Sequence, residues 1–169
     1  MGMTDALLQE IEQEGTTTRR VLERVPADRL GWKPHPKSMS LGQLALHVAQ
    51  VPGFIATWAL ADTTTLDGGH EPAQAHSREE LLAAYDASVA QTREALRQLG
   101  DAGLQGQWQA TAGGATLFTM PKSALFRSIL LNHWYHHRGQ LSVYLRLLDV
   151  PVPSIYGPSA DENPLAART

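Results

Sequence analysis

Cysteine is absent from the 169-residue sequence. The chain therefore forms no disulfide bond, and it supplies neither a thiolate nucleophile nor a thiolate metal ligand. Sulfur chemistry at any site in this protein would need a thiol that comes from outside the chain. This absence leaves histidine and oxygen atoms as the available metal ligands.

The sequence also lacks a long apolar run and a run of basic residues. No segment approaches the ~18–20 apolar residues that a membrane-spanning helix needs. The chain has 14 Lys and Arg against 17 Asp and Glu, a formal net charge of -3, which argues against nucleic acid or an anionic membrane as the main partner. Residues 1–5 have neither the basic start nor the apolar stretch of a signal peptide. We therefore expect a cytoplasmic location.

Four segments carry the apolar periodicity of amphipathic helices. They cover residues 4–25, 40–62, 77–100 and 121–148. Ser40 with Gln43, and Ser77 with Glu80, have the spacing of capping boxes at the starts of the second and third helices. Pro52 lies inside the second segment and predicts a kink or a break there.

The connections between these segments show no convincing series of strands. Residues 63–76 are rich in Thr, Gly and Asp and are predicted to form a loop. Residues 103–120 contain glycines and an alternating Gln-Trp-Gln-Ala-Thr stretch, which is compatible with a short hairpin or with a long loop. Four long amphipathic helices predict an all-α protein, an antiparallel four-helix bundle that forms a single domain over residues 1–169.

Two of the seven histidines lie four residues apart in the fourth helix. Four residues turn a helix through about 400°, so His133 and His137 project from nearly the same face. One helix offers two imidazoles to one metal ion at this spacing. His136 lies about 100° around the helix and is expected at the surface or outside the ligand shell. Three further histidines lie outside the helical segments and are predicted to lie in solvated loops: His35, His70 and His76.

The third ligand would have to come from another element. His47 lies among the apolar residues of the second helix and shares a face with Leu44, Val48 and Val51. An unpaired buried imidazole costs about 1–3 kcal/mol, and one metal would satisfy three such rings at once. The alternative is a set of ordinary core histidines that find other partners. His47, His133 and His137 are our candidate metal ligands.

Three further residues are candidates for contact with a substrate. Gln140 and Tyr144 follow His137 by three and seven positions and extend the ligand face of the helix. Trp58 lies eleven residues after His47, on the same face if the helix continues through Pro52. All three could equally be ordinary residues of the helix bundle.

Three charged residues have a possible role at this site, but the sequence gives weaker evidence for them than for the histidines. Arg138 could bind a carboxylate of a thiol cofactor, although a surface salt bridge is the simpler prediction. Asp161 or Glu162 could accept the free ring N–H of a ligand histidine. No Asp or Glu lies within one helical turn of the three histidines on their own helices, so the sequence offers no carboxylate general base and the catalytic residues stay unknown.

Three separated stretches resemble motifs of the DinB/YfiT-like family. Residues 132–141 read NHWYHHRGQL, residues 32–34 and 38–47 read WKP and SMSLGQLALH, and residues 150–161 read VPVPSIYGPSAD. The match runs in order over nearly the whole chain. The resemblance implies a four-helix bundle of the DinB/YfiT-like type, usually a homodimer, whose three metal ligands correspond to His47, His133 and His137.

The resemblance implies one divalent ion, Zn, Ni, Fe or Mn, without a preference among them. Characterised relatives include metal-dependent hydrolases, and transferases or isomerases that use small thiols such as bacillithiol, mycothiol or glutathione. We therefore expect a metal-dependent enzyme, either a hydrolase or a thiol-dependent S-transferase, acting on a small molecule. The alternatives are a non-catalytic metal-binding protein of stress response or interaction, and a structural bundle without metal.

Overall fold

The computed structural model describes residues 2–68 and 72–166, so the predicted loop position of His70 lies outside the described residues. Three helices have simple bounds: α1 covers Met3–Leu22, α2 covers Leu41–Trp58 and α3 covers Arg78–Leu104. The fourth, α4, covers residues 122–147 in three parts, an opening turn at Lys122–Ala124, a π-helical stretch at Leu125–Leu131 and an α-helix at Asn132–Leu147. A short 3₁₀ turn at Ala27–Arg29 follows α1.

The all-α prediction was wrong, because three strands accompany the helices. They are β1 at Thr63–Thr65, β2 at Gln107–Ala112 and β3 at Ala115–Pro121, and they form one mixed sheet in the order β1-β2-β3. β1 pairs with β2 in parallel and β2 pairs with β3 antiparallel. The protein is thus an α/β structure rather than an all-α four-helix bundle. The prediction that residues 63–76 form only a loop fails for the same reason.

The first strand of the hairpin shows a local signal, the alternation of exposed and buried side chains from residue 107 to residue 110. Trp108 and Ala110 are buried on one face of β2, while Gln107 and Gln109 are exposed, which is the two-residue period of a half-buried strand. Gly113 and Gly114 both have positive φ, 56° and 78°, as the tight turn of a two-residue hairpin requires. Of the two alternatives for this stretch, the hairpin is correct.

The helix ends largely follow the predicted signals. Gln43 N–H donates to Ser40 Oγ at 3.1 Å and Ser40 N–H donates to Gln43 Oε1 at 2.9 Å, a complete capping box. At α3 only half of the box forms, since Glu80 N–H donates to Ser77 Oγ while the Glu80 carboxylate accepts from His76 N–H. The predicted helix end at Gly100 is a break (φ 58°, ψ −177°) before a last short turn.

Helix α2 continues through Pro52, so the predicted break into two pieces is wrong, while the alternative of a kink stays a prediction. Proline has no N–H, so the carbonyl of Val48, four residues earlier, loses its backbone donor. The buried indole Nε1–H of Trp134 in α4 donates to this carbonyl at 3.0 Å. Gly53, the residue after Pro52, donates from its backbone N–H to Ser88 Oγ of α3 at 2.8 Å. Neighbouring helices therefore satisfy the irregular stretch of α2.

Replacing Trp134 by phenylalanine is expected to cost about 1–3 kcal/mol of unfolding free energy, because it leaves the buried Val48 carbonyl without a donor. Pro52→Ala restores a backbone N–H at that carbonyl. The cost of Trp134→Phe should therefore be smaller in a Pro52→Ala background, as urea denaturation of the two single variants and the double variant will measure. Equal costs in both backgrounds would mean that the indole does not replace the missing backbone bond.

The helices α1, α2, α3 and α4 and the sheet share one continuous apolar core. α2 lies at its centre, since most of its residues are buried. It runs antiparallel to α4: Trp134 near the middle of α4 contacts Val48, whereas Tyr144 near the end of α4 contacts Met39 before the start of α2. Among the described residues, the helices are too short or too polar for any of them to cross a bilayer.

Candidate metal centre

The structure brings His47, His133 and His137 together on the facing sides of α2 and α4. The Nε2 atoms of His47 and His133 are 3.0 Å apart. The ring centroid of His137 lies 4.5 Å from that of His47 and 4.4 Å from that of His133. One nitrogen from each ring falls within 4.8 Å of the others, a cluster that could hold a metal ion.

Two features of the helices set this arrangement. The i, i+4 spacing puts His133 and His137 on one face of α4, directly after its π-helical stretch, and such stretches are frequent at functional sites. The hydrogen bond between Trp134 and the carbonyl of Val48 then joins the residue after His133 to the residue after His47. This buried bond fixes the two helices against each other at the level of the cluster.

Gln140 contacts a ring of the cluster. Its Oε1 atom lies 2.7 Å from Nδ1 of His137. A carbonyl oxygen only accepts hydrogen bonds, so this contact places the proton of the ring on Nδ1 and leaves the lone pair on Nε2. A ligand histidine is commonly oriented by such an acceptor on its other nitrogen. The sequence predicted a substrate contact for Gln140, which remains a prediction; its contact with His137 was not foreseen.

The three rings are held in the neutral form. Burial lowers the pKa of His47 from 6.5 to about 4, with a smaller contribution from the neighbouring His137 and His133 rings. Burial also lowers the pKa of His133 and of His137. In the described part of the chain, none of the three rings forms a salt bridge with a carboxylate. Neutral imidazoles are the state that metal binding requires.

The metal-free protein should lose stability on acidification through His47. The pKa of this ring is about 4 in the folded state and 6.5 ordinarily, so between these values the unfolded chain binds more protons. Stability is then fully present above pH 6.5 and declines as the pH falls toward 4. Thermal unfolding of chelator-treated protein should show a smaller fall in Tm over this range for His47→Gln than for the native sequence. Identical falls would contradict the lowered pKa.

The other two predicted substrate residues, Tyr144 and Trp58, each pack against another aromatic ring. Tyr144 packs its ring against Trp32 at 5.6 Å and donates from its hydroxyl to the Met39 carbonyl at 3.3 Å. Trp58 stacks on Trp108 of the sheet at 5.9 Å, about 16 Å along α2 from His47 by helical rise. Both side chains are half-buried. Substrate contact by either residue stays a prediction.

Arg138 forms the predicted salt bridge but in the interior, and the two tail carboxylates have partners other than the predicted ligand histidine. Arg138 is 1% exposed rather than on the surface, and its guanidinium pairs with Glu14 Oε2 at 2.7 Å. Asp161 pairs with Arg146 and accepts from Val152 N–H, while Glu162 pairs with Arg20. The carboxylates of the tail therefore hold the tail on α1 and α4. In the described residues they do not accept from a ligand histidine.

Sequence reasoning missed Trp134 and the contact of Gln140 with His137. A signal for Trp134 was present: Pro52 inside a helix orphans the carbonyl of Val48, and an indole adjacent to a candidate ligand is a natural donor. The signal for Gln140 was its i, i+3 spacing from His137. The π-helical stretch before His133 had no sequence signal that we could identify.

Comparison with known proteins decides the family. The model of the DinB family matches residues 1–165. The chain belongs to the DinB family. The uncharacterized protein YrdA of Bacillus subtilis (strain 168) is 27% identical over 159 residues, which are 94% of this chain and 90% of YrdA. The resemblance seen in the three sequence motifs is thus confirmed.

Two crystal structures of DinB-like proteins share the fold of this DinB-family chain. One, from Bacillus cereus ATCC 10987, has a TM-score of 0.70 at 24% identity and covers 90% of this chain and 97% of its own. The other, YjoA from Bacillus subtilis, has a TM-score of 0.68 at 19% identity, with coverages of 89% and 96%. At these identities the likeness concerns the fold alone.

Proposed function

We propose that His47, His133 and His137 hold one divalent metal ion through their Nε2 atoms and that this centre is catalytic. The observation that carries the proposal is the convergence of three neutral ring nitrogens from two helices within 4.8 Å. Membership of the DinB family supports it. The order of the three ligands, one from α2 and two from one face of α4, also matches the set that the resemblance implied.

The residues present fit such an ion. Two nitrogen ligands at about 2.0–2.1 Å from one metal, separated by about 90–110°, lie about 2.8–3.4 Å apart. The 3.0 Å between His47 Nε2 and His133 Nε2 falls in this range. Imidazole ligands suit zinc, nickel and iron, and accommodate manganese less tightly, so the donor set is compatible with all four predicted ions.

Three protein ligands leave at least one coordination position for water or substrate, as in catalytic rather than structural zinc sites. A bound divalent ion would supply Lewis acidity, lowering the pKa of a bound water or thiol toward neutral. The chain's own part is positional: Gln140 orients His137, and Trp134 fixes α4 against α2. The half-buried rings leave the site open to solvent on one side.

Two reactions are compatible with this centre, hydrolysis of a small molecule and S-transfer from a small thiol such as bacillithiol. The absence of cysteine from the chain suits the second, because the attacking sulfur would come from the cosubstrate. The alternative is a metal-binding protein of stress response or interaction that has no turnover. Among the described residues no carboxylate joins the three histidines, which favours that alternative over a hydrolase that needs a carboxylate base.

Turnover assays distinguish these possibilities. Protein loaded with each of Zn, Ni, Fe and Mn would be tested with monochlorobimane and bacillithiol, mycothiol or glutathione, and with ester and amide substrates. We expect activity above that of the chelator-treated protein in one of the two groups, and its loss in His137→Ala. Metal-loaded protein without any activity and without thiol binding would support the non-catalytic alternative instead.

Gln140→Ala is expected to weaken metal affinity by about 10–100-fold, the usual effect of losing an outer acceptor of a ligand histidine. The side chain is exposed, so the fold should be unaffected. Competition with a chromophoric chelator measures the change. Ser142→Ala, in the same helix two residues beyond Gln140, is the matched control. If both variants bind metal like the native chain, Gln140 does not orient the ligand.

A further inference from the structure

The face of α2 that carries His47 also carries two aromatic side chains beyond the triad, Phe54 and Trp58. Phe54 follows His47 by seven residues, which places it two turns later and within about 20° around the helix. Its side chain is 61% exposed, although phenylalanine is usually buried. The ring of Trp58 lies one turn further, 5.0 Å from that of Phe54. A partly exposed aromatic pair therefore lies two to three helical turns from His47, on the same face of α2.

The sheet extends and fixes this surface. Trp58 stacks on Trp108 of β2 at 5.9 Å with an angle of 3° between the rings, and Phe118 of β3 lies 5.9 Å from Trp108. Trp108 is buried, and its indole N–H donates to Thr64 Oγ1 of β1 at 3.0 Å. We call Phe54, Trp58, Trp108 and Phe118 the aromatic shelf. The buried ring of Trp108 anchors the shelf in the core and in the sheet.

Helical geometry directs Phe54, the shelf residue nearest to His47 along α2, toward the triad. Side chains on a helix tilt toward its N-terminus, so Phe54 covers the surface between its own Cα and His47. The two Cα positions are about 10 Å apart by helical rise. A ligand whose reacting group lies at the triad would need a spacer of only a few atoms to put a ring or alkyl group on Phe54.

The charge of the surrounding elements restricts what the shelf can bind. No Asp, Glu, Lys or Arg occurs in α2 (Leu41–Trp58) or in the hairpin at residues 107–121. A charged group placed on the shelf would lose water without gaining a counter-ion from these elements. An uncharged apolar group would gain from burial against the exposed rings.

We propose that the aromatic shelf binds an uncharged aryl or alkyl group of a small-molecule substrate whose reacting group lies at the histidine triad. This proposal rests on the proposed function and adds the substrate class to it. A second copy of the chain is a less suitable occupant, because a stable interface buries about 800 Å² per partner, and two of the four shelf rings are already partly or wholly covered.

Metal-binding hydroxamates test the proposal without any assumption about the reaction. Zinc-loaded protein would be titrated calorimetrically with acetohydroxamate and with 4-phenylbutyrohydroxamate, which share the metal-binding group and differ in the apolar tail. We expect the phenyl compound to bind roughly 10–100-fold more tightly, the effect of burying one aromatic ring. Phe54→Ala should remove most of this gain and leave the affinity for acetohydroxamate unchanged.

Leu147→Ala is the matched control, since Leu147 is 58% exposed and lies on α4 ten residues beyond His137; it should keep the full gain. Equal affinity for the two compounds, or an equal gain in Phe54→Ala, would overturn the shelf while the metal centre stands. Failure of both compounds to bind zinc-loaded protein would instead contradict the proposed function. A Phe54→Ala protein that dissociates from dimer to monomer in light scattering and keeps the gain would assign the shelf to a second copy, which also overturns the proposal.

Discussion

Replacing any one of His47, His133 and His137 by alanine is expected to abolish stable binding of one divalent ion. Each ring supplies one of the three converging nitrogens, and the two remaining imidazoles make a much weaker site. The loss should exceed the ~10–100-fold expected for an outer residue such as Gln140. Titration with Co²⁺, followed by its visible absorption, measures affinity and coordination together.

His136→Ala is the matched control for this series. His136 neighbours His137 at 4.9 Å between ring centroids, and it is exposed, yet it lies outside the cluster of three ligand atoms. This variant should bind metal like the native chain. A second readout is the stabilisation by metal, which at 100 times the Kd amounts to about 2.7 kcal/mol and should vanish in the three triad variants alone. Loss of binding in His136→Ala, or retention in His137→Ala, would contradict the assignment.

Glu14→Gln is expected to destabilise the protein by about 3–5 kcal/mol, because it leaves the buried guanidinium of Arg138 without a counter-ion. Arg138 is 1% exposed. Besides the Glu14 carboxylate, it donates to the Thr18 hydroxyl at 3.1 Å and to the Tyr156 hydroxyl at 2.6 Å. The Tyr156 hydroxyl in turn donates to Glu14 at 3.0 Å. This network ties α1, α4 and the C-terminal tail together, one residue from a candidate ligand.

The size of this effect depends on burial, and a neighbouring pair provides the comparison. Glu12 also lies on α1 and pairs with Arg93, but more than half of the Glu12 side chain is exposed. Glu12→Gln should change stability by only about 0–1 kcal/mol. Urea denaturation of both variants measures the difference. A double replacement, Glu14→Leu with Arg138→Met, should cost less than Glu14→Gln, since it removes both charges. Equal costs for Glu12→Gln and Glu14→Gln would contradict the buried network.

The helices and the triad could be predicted because their signals are local. Ser40 with Gln43 marks the start of α2 through a pattern that spans one turn, and the pair His133 and His137 shares a face by helical geometry alone. His47 could be added because its neighbours Leu44, Val48 and Val51 are apolar and identify the inward face. Each of these inferences needs only the period of the helix.

The features that escaped prediction depend on contacts between distant segments. β1 has only three residues, Thr63–Thr65, and forms because β2 offers it a parallel edge more than 40 residues later. Arg138 is buried because Glu14 and Tyr156 reach it from opposite ends of the chain. No spacing of residues in the sequence predicts the pairing of β1 with β2 or the contacts of Arg138. The same holds for the Trp134 indole at the Val48 carbonyl, where only the need for a donor was visible beforehand.

The metal content of the purified native chain tests the central claim most directly. Untagged protein would be loaded separately with Zn, Ni, Fe and Mn, dialysed, and measured by inductively coupled plasma mass spectrometry against the protein concentration. We expect close to one ion per chain for at least one of these metals, held through dialysis. A content far below one ion per chain for all four metals would contradict a metal centre at His47, His133 and His137.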